Sequence, residues 1–138
     1  MPKKYSRFIH NLSRNCLALN QAVTVFASRI SSPLEIGETP INSIQKEIQE
    51  ETGFSAKKWN ELGTLVPAPG YADEEIYLFL ARDLNKLISE VKGDLDEDIE
   101  VLILEPEELD NLIASGDEIL DAKTVTAWFR AKQFLDKL

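Results

Sequence analysis

Among 138 residues the chain has one cysteine, Cys16, and one histidine, His10. A single cysteine excludes an internal disulfide and any cysteine-cluster zinc site, and makes a reducing cytoplasm the expected compartment. A single histidine with no partner motif around it removes most histidine-based triads and zinc sites. Long apolar runs are missing too: nothing approaches the ~20 residues of a membrane span. The opening "MPKKYSRFIHNLSRNCLAL" sets basic residues before apolar ones, but Asn, Ser, Arg and His interrupt any signal-peptide core, so it is expected to belong to the mature chain. Positive charge is scarce as well. With 15 Lys and Arg against 24 Asp and Glu, the net charge of -9 argues against general affinity for nucleic acid or anionic membranes. No repeat or low-complexity tract is present.

What is present suits an ordinary folded protein. Hydrophobic residues at 43% and charged residues at 28% supply a core and a solvated surface, and the length fits a single domain over residues 1–138 without disulfides. The N-terminal third is the least legible. "SRFIHNLSRNCLAL" is compatible with an amphipathic helix, whereas "AVTVFASRI" has the β-branched and aromatic content of a strand. From Gly37 the signals sharpen. Thr39 is placed to cap a helix with Pro40 at its first position and Gly53 as its stop, and Ile41, Ile44 and Ile48 give that helix one apolar face. "WNELGTLVP" then reads as a strand, "APGYADE" as a loop, and "EIYLFLARDL" as a strand with both faces covered. "GDLDED" is an acidic loop and "IEVLILE" a buried strand. Pro106 opens a helix through about Ala114, and a last helix from about Ala122 is expected to turn Val125, Trp128, Phe129 and Phe134 to the core. Strands interleaved with helices indicate an α/β or α+β sandwich.

The helix from Pro40 ends on three glutamates. Glu47, Glu50 and Glu51 stand three and four apart, so their carboxylates share one side, oblique or opposite to the isoleucines. Like charges at this spacing cost a few tenths of a kcal/mol per pair, and carboxylates in a last turn meet the negative end of the helix dipole for another ~0.3–1 kcal/mol. Hard divalent cations take oxygen ligands and are often held by one or two carboxylates plus substrate phosphates, and such a cation turns the repulsion into attraction. The competing reading is a solvated acidic face with Lys46 as counter-ion.

The segment resembles the Nudix box, G-x(5)-E-x(7)-R-E-U-x-E-E-x-G-U, where U is a bulky apolar residue. Glu38 takes the first glutamate position, and "KEIQEETGF" matches as Lys46, Glu47, Ile48, Glu50, Glu51, Gly53 and Phe54. Two positions depart from the pattern: Lys46 replaces the arginine and loses its planar fork, and Ser32 stands where the opening glycine falls. Beyond the box, "GTLVPAPGYADEEIYLFLARDL" and "DEDIEVLILEPEELDNLIASGDEILDAKTVTAWFRA" resemble ADP-ribose pyrophosphatases of this family. The resemblance covers residues 34–138 and leaves 1–33 as a divergent segment.

That resemblance implies an α/β/α sandwich with a mixed sheet, incomplete at the N-terminus unless residues 1–33 supply a reduced substitute for the missing strands. It implies hydrolysis of ADP-ribose or a related nucleoside diphosphate sugar to AMP and a sugar phosphate. It further implies Mg²⁺, with Mn²⁺ as an alternative, held by Glu47, Glu51 and Glu50, with Glu38 supporting the metal shell. A general base is expected at Glu97, with Asp96 and Asp98 as neighbours, and Glu50 is counted with it as catalytic. Glu74, Tyr71 and Gly70 are expected at the substrate, Tyr71 by stacking on adenine. Partners implied are a small nucleotide and a second copy of the chain in a homodimer. A module that binds metal or nucleotide without turnover is the alternative, and a purely structural acidic protein is a weaker one. The N-terminal departure has one further expected origin, a displaced reading frame. Arg29 to Ser32 written AGA ATT TCC AGC and followed by C reads one base later as Glu-Phe-Pro-Ala, the loop the family carries before its box.

Overall fold

The computed structural model describes residues 16–19, 23–30, 37–88, 103–116 and 122–138, with residues 16–19, 23–30 and Glu51 described by their backbone. Five strands form one sheet: β1 (Cys16–Leu19), β2 (Val23–Ile30), β3 (Phe54–Leu65), β4 (Glu75–Lys86) and β5 (Ile103–Leu104), in the spatial order β3-β4-β2-β1-β5. The β1–β5 pair is parallel and the other three are antiparallel, so the sheet is mixed, as expected. Residues 16–30 thus supply two strands. β2 runs beside β4 along its whole length, from Val23 opposite Arg82 to Ile30 opposite Glu75. Cys16–Leu19 is a strand rather than part of an amphipathic helix, because it pairs with β2 on one side and β5 on the other; such pairing overrides local periodicity.

β4 is the pivot, and its alternation divides the core. Ile76, Leu78 and Leu80 point to one face with Leu104, Leu109, Ala127, Trp128 and Ala131, while Phe79 and Ala81 point to the other with Ile44 and Ile48. Helix α1 (Pro40–Thr52) covers the second face, and α2 (Pro106–Ser115) and α3 (Ala122–Leu135) cover the first. The architecture is the expected α/β/α sandwich. Ile44 and Ile48 are completely or almost completely buried, each contributing ~1.5–3 kcal/mol, which clamps α1 to the sheet.

One expected core residue falls elsewhere. Phe129 is 64% exposed, because it follows Trp128 by one helical position and so turns ~100° away from the sheet, while Val125 and Phe134 are half-buried. β3 also begins earlier than the "WNELGTLVP" reading, directly after the α1 cap, and carries a bulge between Glu61 and Gly63. Arg130 of α3 crosses that bulge, donating from Nη1 to the carbonyls of Leu62 (3.1 Å) and Thr64 (3.0 Å). Gly63 makes this crossing feasible: its φ is +95°, and a Cβ there would stand 2.9 Å from Arg130 Nη1. On the same side Asp110 ties α2 to α3, accepting from Trp128 Nε1 and Lys132 Nζ at 2.8 Å each.

Candidate active site

The helix bearing the glutamates is delimited at both ends. Thr39 Oγ1 accepts from the Asn42 N–H at 3.4 Å, Pro40 occupies the first turn, and Gly53, at φ 71°, donates its N–H to the Gln49 carbonyl. Thr52 secures the last turn, donating to the Ile48 carbonyl at 2.6 Å and accepting from the Phe54 N–H at 3.2 Å. Caps and isoleucine burial together hold the glutamates at a helix end the dipole disfavours. The acidic residues are tolerated there; they do not stabilise the turn.

Glu47 is the member the fold perturbs. Burial pushes its carboxyl above the ordinary carboxylate range, the Ser43 hydroxyl draws it back down, and the charges of Glu38 and Glu50 raise it again. The Ser43 Oγ donates to Glu47 Oε1 at 3.1 Å, one helical turn before it. Glu47 is thus partly withdrawn from water beside two further negative charges, with one oxygen held by a neutral donor. An oxygen donor set under mutual repulsion suits a hard divalent cation. Among the described residues no three acidic, histidine or cysteine side chains converge into a complete cage. Mg²⁺ is commonly held by one or two carboxylates and completed by water and substrate phosphate.

The other expected site residues divide between two places. Glu38 is half-buried just before α1 and Glu50 is exposed in its last turns, so both join Glu47 electrostatically; Glu51 lies on the same helix. Gly70, Tyr71 and Glu74 sit instead in the loop joining β3 to β4, where the N–H groups of Tyr71 and Ala72 both donate to the Ala68 carbonyl. Tyr71 is 97% exposed, so its ring is packed on no neighbour; Glu74 is half-buried. Asp96, Glu97, Asp98 and Ser32 lie outside the described residues. Ser43 is the residue the sequence reading missed. Its spacing of four before Glu47, in the first half of the helix, was the available signal.

A capped helix, clamped by its isoleucines and presenting Glu47 among further carboxylates, sits within the span matched by a family model. The NUDIX domain model matches residues 33–137. The chain belongs to the Nudix family. It is 42% identical over 96 residues to an ADP-ribose pyrophosphatase of Bacillus subtilis (strain 168), covering 68% of this chain and 50% of that protein. A methanol dehydrogenase activator of Bacillus methanolicus is 35% identical over 94 residues, 68% of this chain and 50% of the relative. A GDP-mannose pyrophosphatase of Enterobacter sp. (strain 638) is 35% identical over 89 residues, 64% of this chain and 46% of the relative. The chain therefore spans about half the length of these relatives. No helix among the described residues is long and apolar enough to cross a membrane.

Proposed function

We propose that this Nudix chain is a Mg²⁺-dependent pyrophosphatase that hydrolyses ADP-ribose, or a related nucleoside diphosphate sugar, to AMP and a sugar phosphate. The observation that carries the reading is Glu47, partly buried among the charges of Glu38 and Glu50 on a helix the fold pins in place. The activities named for two of the relatives, on ADP-ribose and GDP-mannose, support the substrate class.

Glu47, Glu50 and Glu51 would hold the cation, with Glu38 in support; Mn²⁺ suits the same oxygen set. When bound, the cation supplies neutralisation of the pyrophosphate charge and acidifies water. Ser43 donates to Glu47 Oε1 and so orients its carboxylate. In hydrolysis a water oxygen forms a bond to one phosphorus, the bridging P–O bond breaks with its electron pair on the leaving phosphate, and Glu97 accepts the water proton. Tyr71 offers an exposed ring for adenine to stack on, and Gly70 and Glu74 flank it in the same loop. A small nucleotide as partner, rather than nucleic acid or a membrane, accords with the net charge of -9, and a cytoplasmic location with the single cysteine.

A panel of ADP-ribose, GDP-mannose and further nucleoside diphosphate sugars, each with Mg²⁺ and again with excess chelator, tests the proposal. Chelator-sensitive release of a nucleoside monophosphate from at least one of them is expected. Calorimetric binding of nucleotide with no product from any member of the panel would instead establish the non-catalytic module.

A further inference from the structure

Glu47 is braced differently from the ion-paired carboxylates Asp83 and Asp110. Each of those takes a lysine, Lys58 at 2.9 Å and Lys132 at 2.8 Å, so its charge is answered within the protein. The half-buried Glu47 takes the Ser43 hydroxyl instead, at 3.1 Å. A hydroxyl is a neutral donor: it holds a carboxylate oxygen in place without cancelling the negative charge. That charge stays available to a cation.

Ser43 also has a competing acceptor. A serine inside a helix commonly donates back to the carbonyl four residues earlier, as Thr52 does to Ile48 at 2.6 Å. For Ser43 that carbonyl belongs to Thr39, which receives the Ser43 backbone N–H at 3.1 Å. The side-chain hydroxyl goes the other way, one turn forward to Glu47 Oε1.

Which oxygen is held bears on which cation fits. With Oε1 accepting from Ser43, Oε2 is the Glu47 oxygen better placed to bind an ion, and chelation through both would disturb the hydrogen bond. Ca²⁺ fills a large, flexible oxygen shell and can take both oxygens of one carboxylate, whereas Mg²⁺ keeps a smaller, near-octahedral shell with several waters. An anchored Oε1 therefore disfavours the larger ion more than the smaller one.

We propose that Ser43 is a positioning residue that sets cation selectivity: by holding Glu47 Oε1 it makes Glu47 a one-oxygen ligand, favouring Mg²⁺ and Mn²⁺ over Ca²⁺. The inference rests on the proposed metal site and adds to it a residue outside the carboxylates.

The test is competition for Mn²⁺ by Mg²⁺ and by Ca²⁺ on the full chain without substrate, read from the electron paramagnetic resonance signal of free Mn²⁺. Wild type, Ser43→Ala and Ser43→Thr are compared, and melting in chelator checks that each is folded. Wild type is expected to bind Mg²⁺ more tightly than Ca²⁺. Losing a partner that orients a metal ligand typically costs ~10–100-fold in affinity. Ser43→Ala is expected to weaken Mg²⁺ by about tenfold and Ca²⁺ by less, narrowing the preference, while Ser43→Thr, which keeps the hydroxyl, retains it. A merely structural serine would leave the ratio of the two affinities unchanged. A wild type that binds Ca²⁺ as tightly as Mg²⁺, a wild-type preference in Ser43→Ala, or a Ser43→Thr variant that behaves like Ser43→Ala would each overturn the role of Ser43 and leave the metal site standing. A wild type that binds none of the three ions would overturn the site and this inference with it.

Discussion

Replacing Glu47 by glutamine should make the metal-free protein more stable and the protein in Mg²⁺ less stable than the wild type. The substitution keeps the side chain's size and an oxygen to accept from Ser43, but removes a partly buried charge. Relief of the i,i+3 repulsion with Glu50 contributes ~0.2–0.5 kcal/mol. Loss of the desolvation cost acts in the same direction, and at ~2–8 °C per kcal/mol the variant should melt about 2 °C higher without metal. Mg²⁺ at ten times its dissociation constant stabilises a protein by about 1.4 kcal/mol, which exceeds the repulsion it offsets. Wild type in Mg²⁺ should therefore melt ~5 °C above its metal-free form, while the variant barely responds. Differential scanning calorimetry with chelator and with a Mg²⁺ series reads both quantities. A variant less stable than wild type in chelator, or an equal Mg²⁺ response in both proteins, would refute the reasoning.

Other outcomes follow from the same contacts. Because the folded Glu47 carboxyl titrates above its ordinary value of 4.5, its stabilising contribution is complete below that pH and is lost as pH rises through the raised value. The metal-free melting difference between wild type and Glu47→Gln should accordingly close near pH 4 and open toward neutrality. Gly63→Ala forces a side chain into positive φ and against Arg130, and should cost ~1–2 kcal/mol in urea unfolding. Ile48→Ala should cost ~2–5 kcal/mol, whereas Phe129→Ser should stay within ~0.5 kcal/mol, a contrast that chemical denaturation resolves. Sequencing the encoding DNA tests the displaced-frame origin of residues 1–33: codons whose neighbouring frame reads Glu-Phe-Pro-Ala at Arg29–Ser32 are expected, and codons giving no family-like peptide in any frame would dismiss it.

Much of this molecule was legible before its fold was known, and the reasons are local. Thr39, Pro40 and Gly53 mark α1 by their own backbone preferences, and Ile44 and Ile48 mark its buried face. The dense apolar run from Ile76 to Ala81 announces a strand covered on both sides. What escaped depended on contacts distant in sequence. Cys16–Leu19 becomes a strand because β2 and β5 flank it, not because its four residues demand one. Gly63 in "ELGTL" gives no sign that a bulge lies beside it or that Arg130, far along the chain, will cap it. Hydrophobicity alone puts Phe129 in the core, although its neighbour Trp128 holds the inward position. At the site, the glutamate spacing points to a shared acidic side, whereas only packing shows that burial falls on Glu47 and that Ser43 donates to it.

The claim that this acidic face is a catalytic metal site is tested most directly by AMP release from ADP-ribose in Mg²⁺, compared between wild type and Glu51→Gln at equal protein concentration. Glu51→Gln removes the charge of one of the three α1 glutamates while leaving the buried isoleucines and both helix caps in place. Removing an electrostatic contributor to such a site typically costs ~10²–10³-fold in rate, and a loss of that order is expected here. Equal rates in the two proteins would contradict the account.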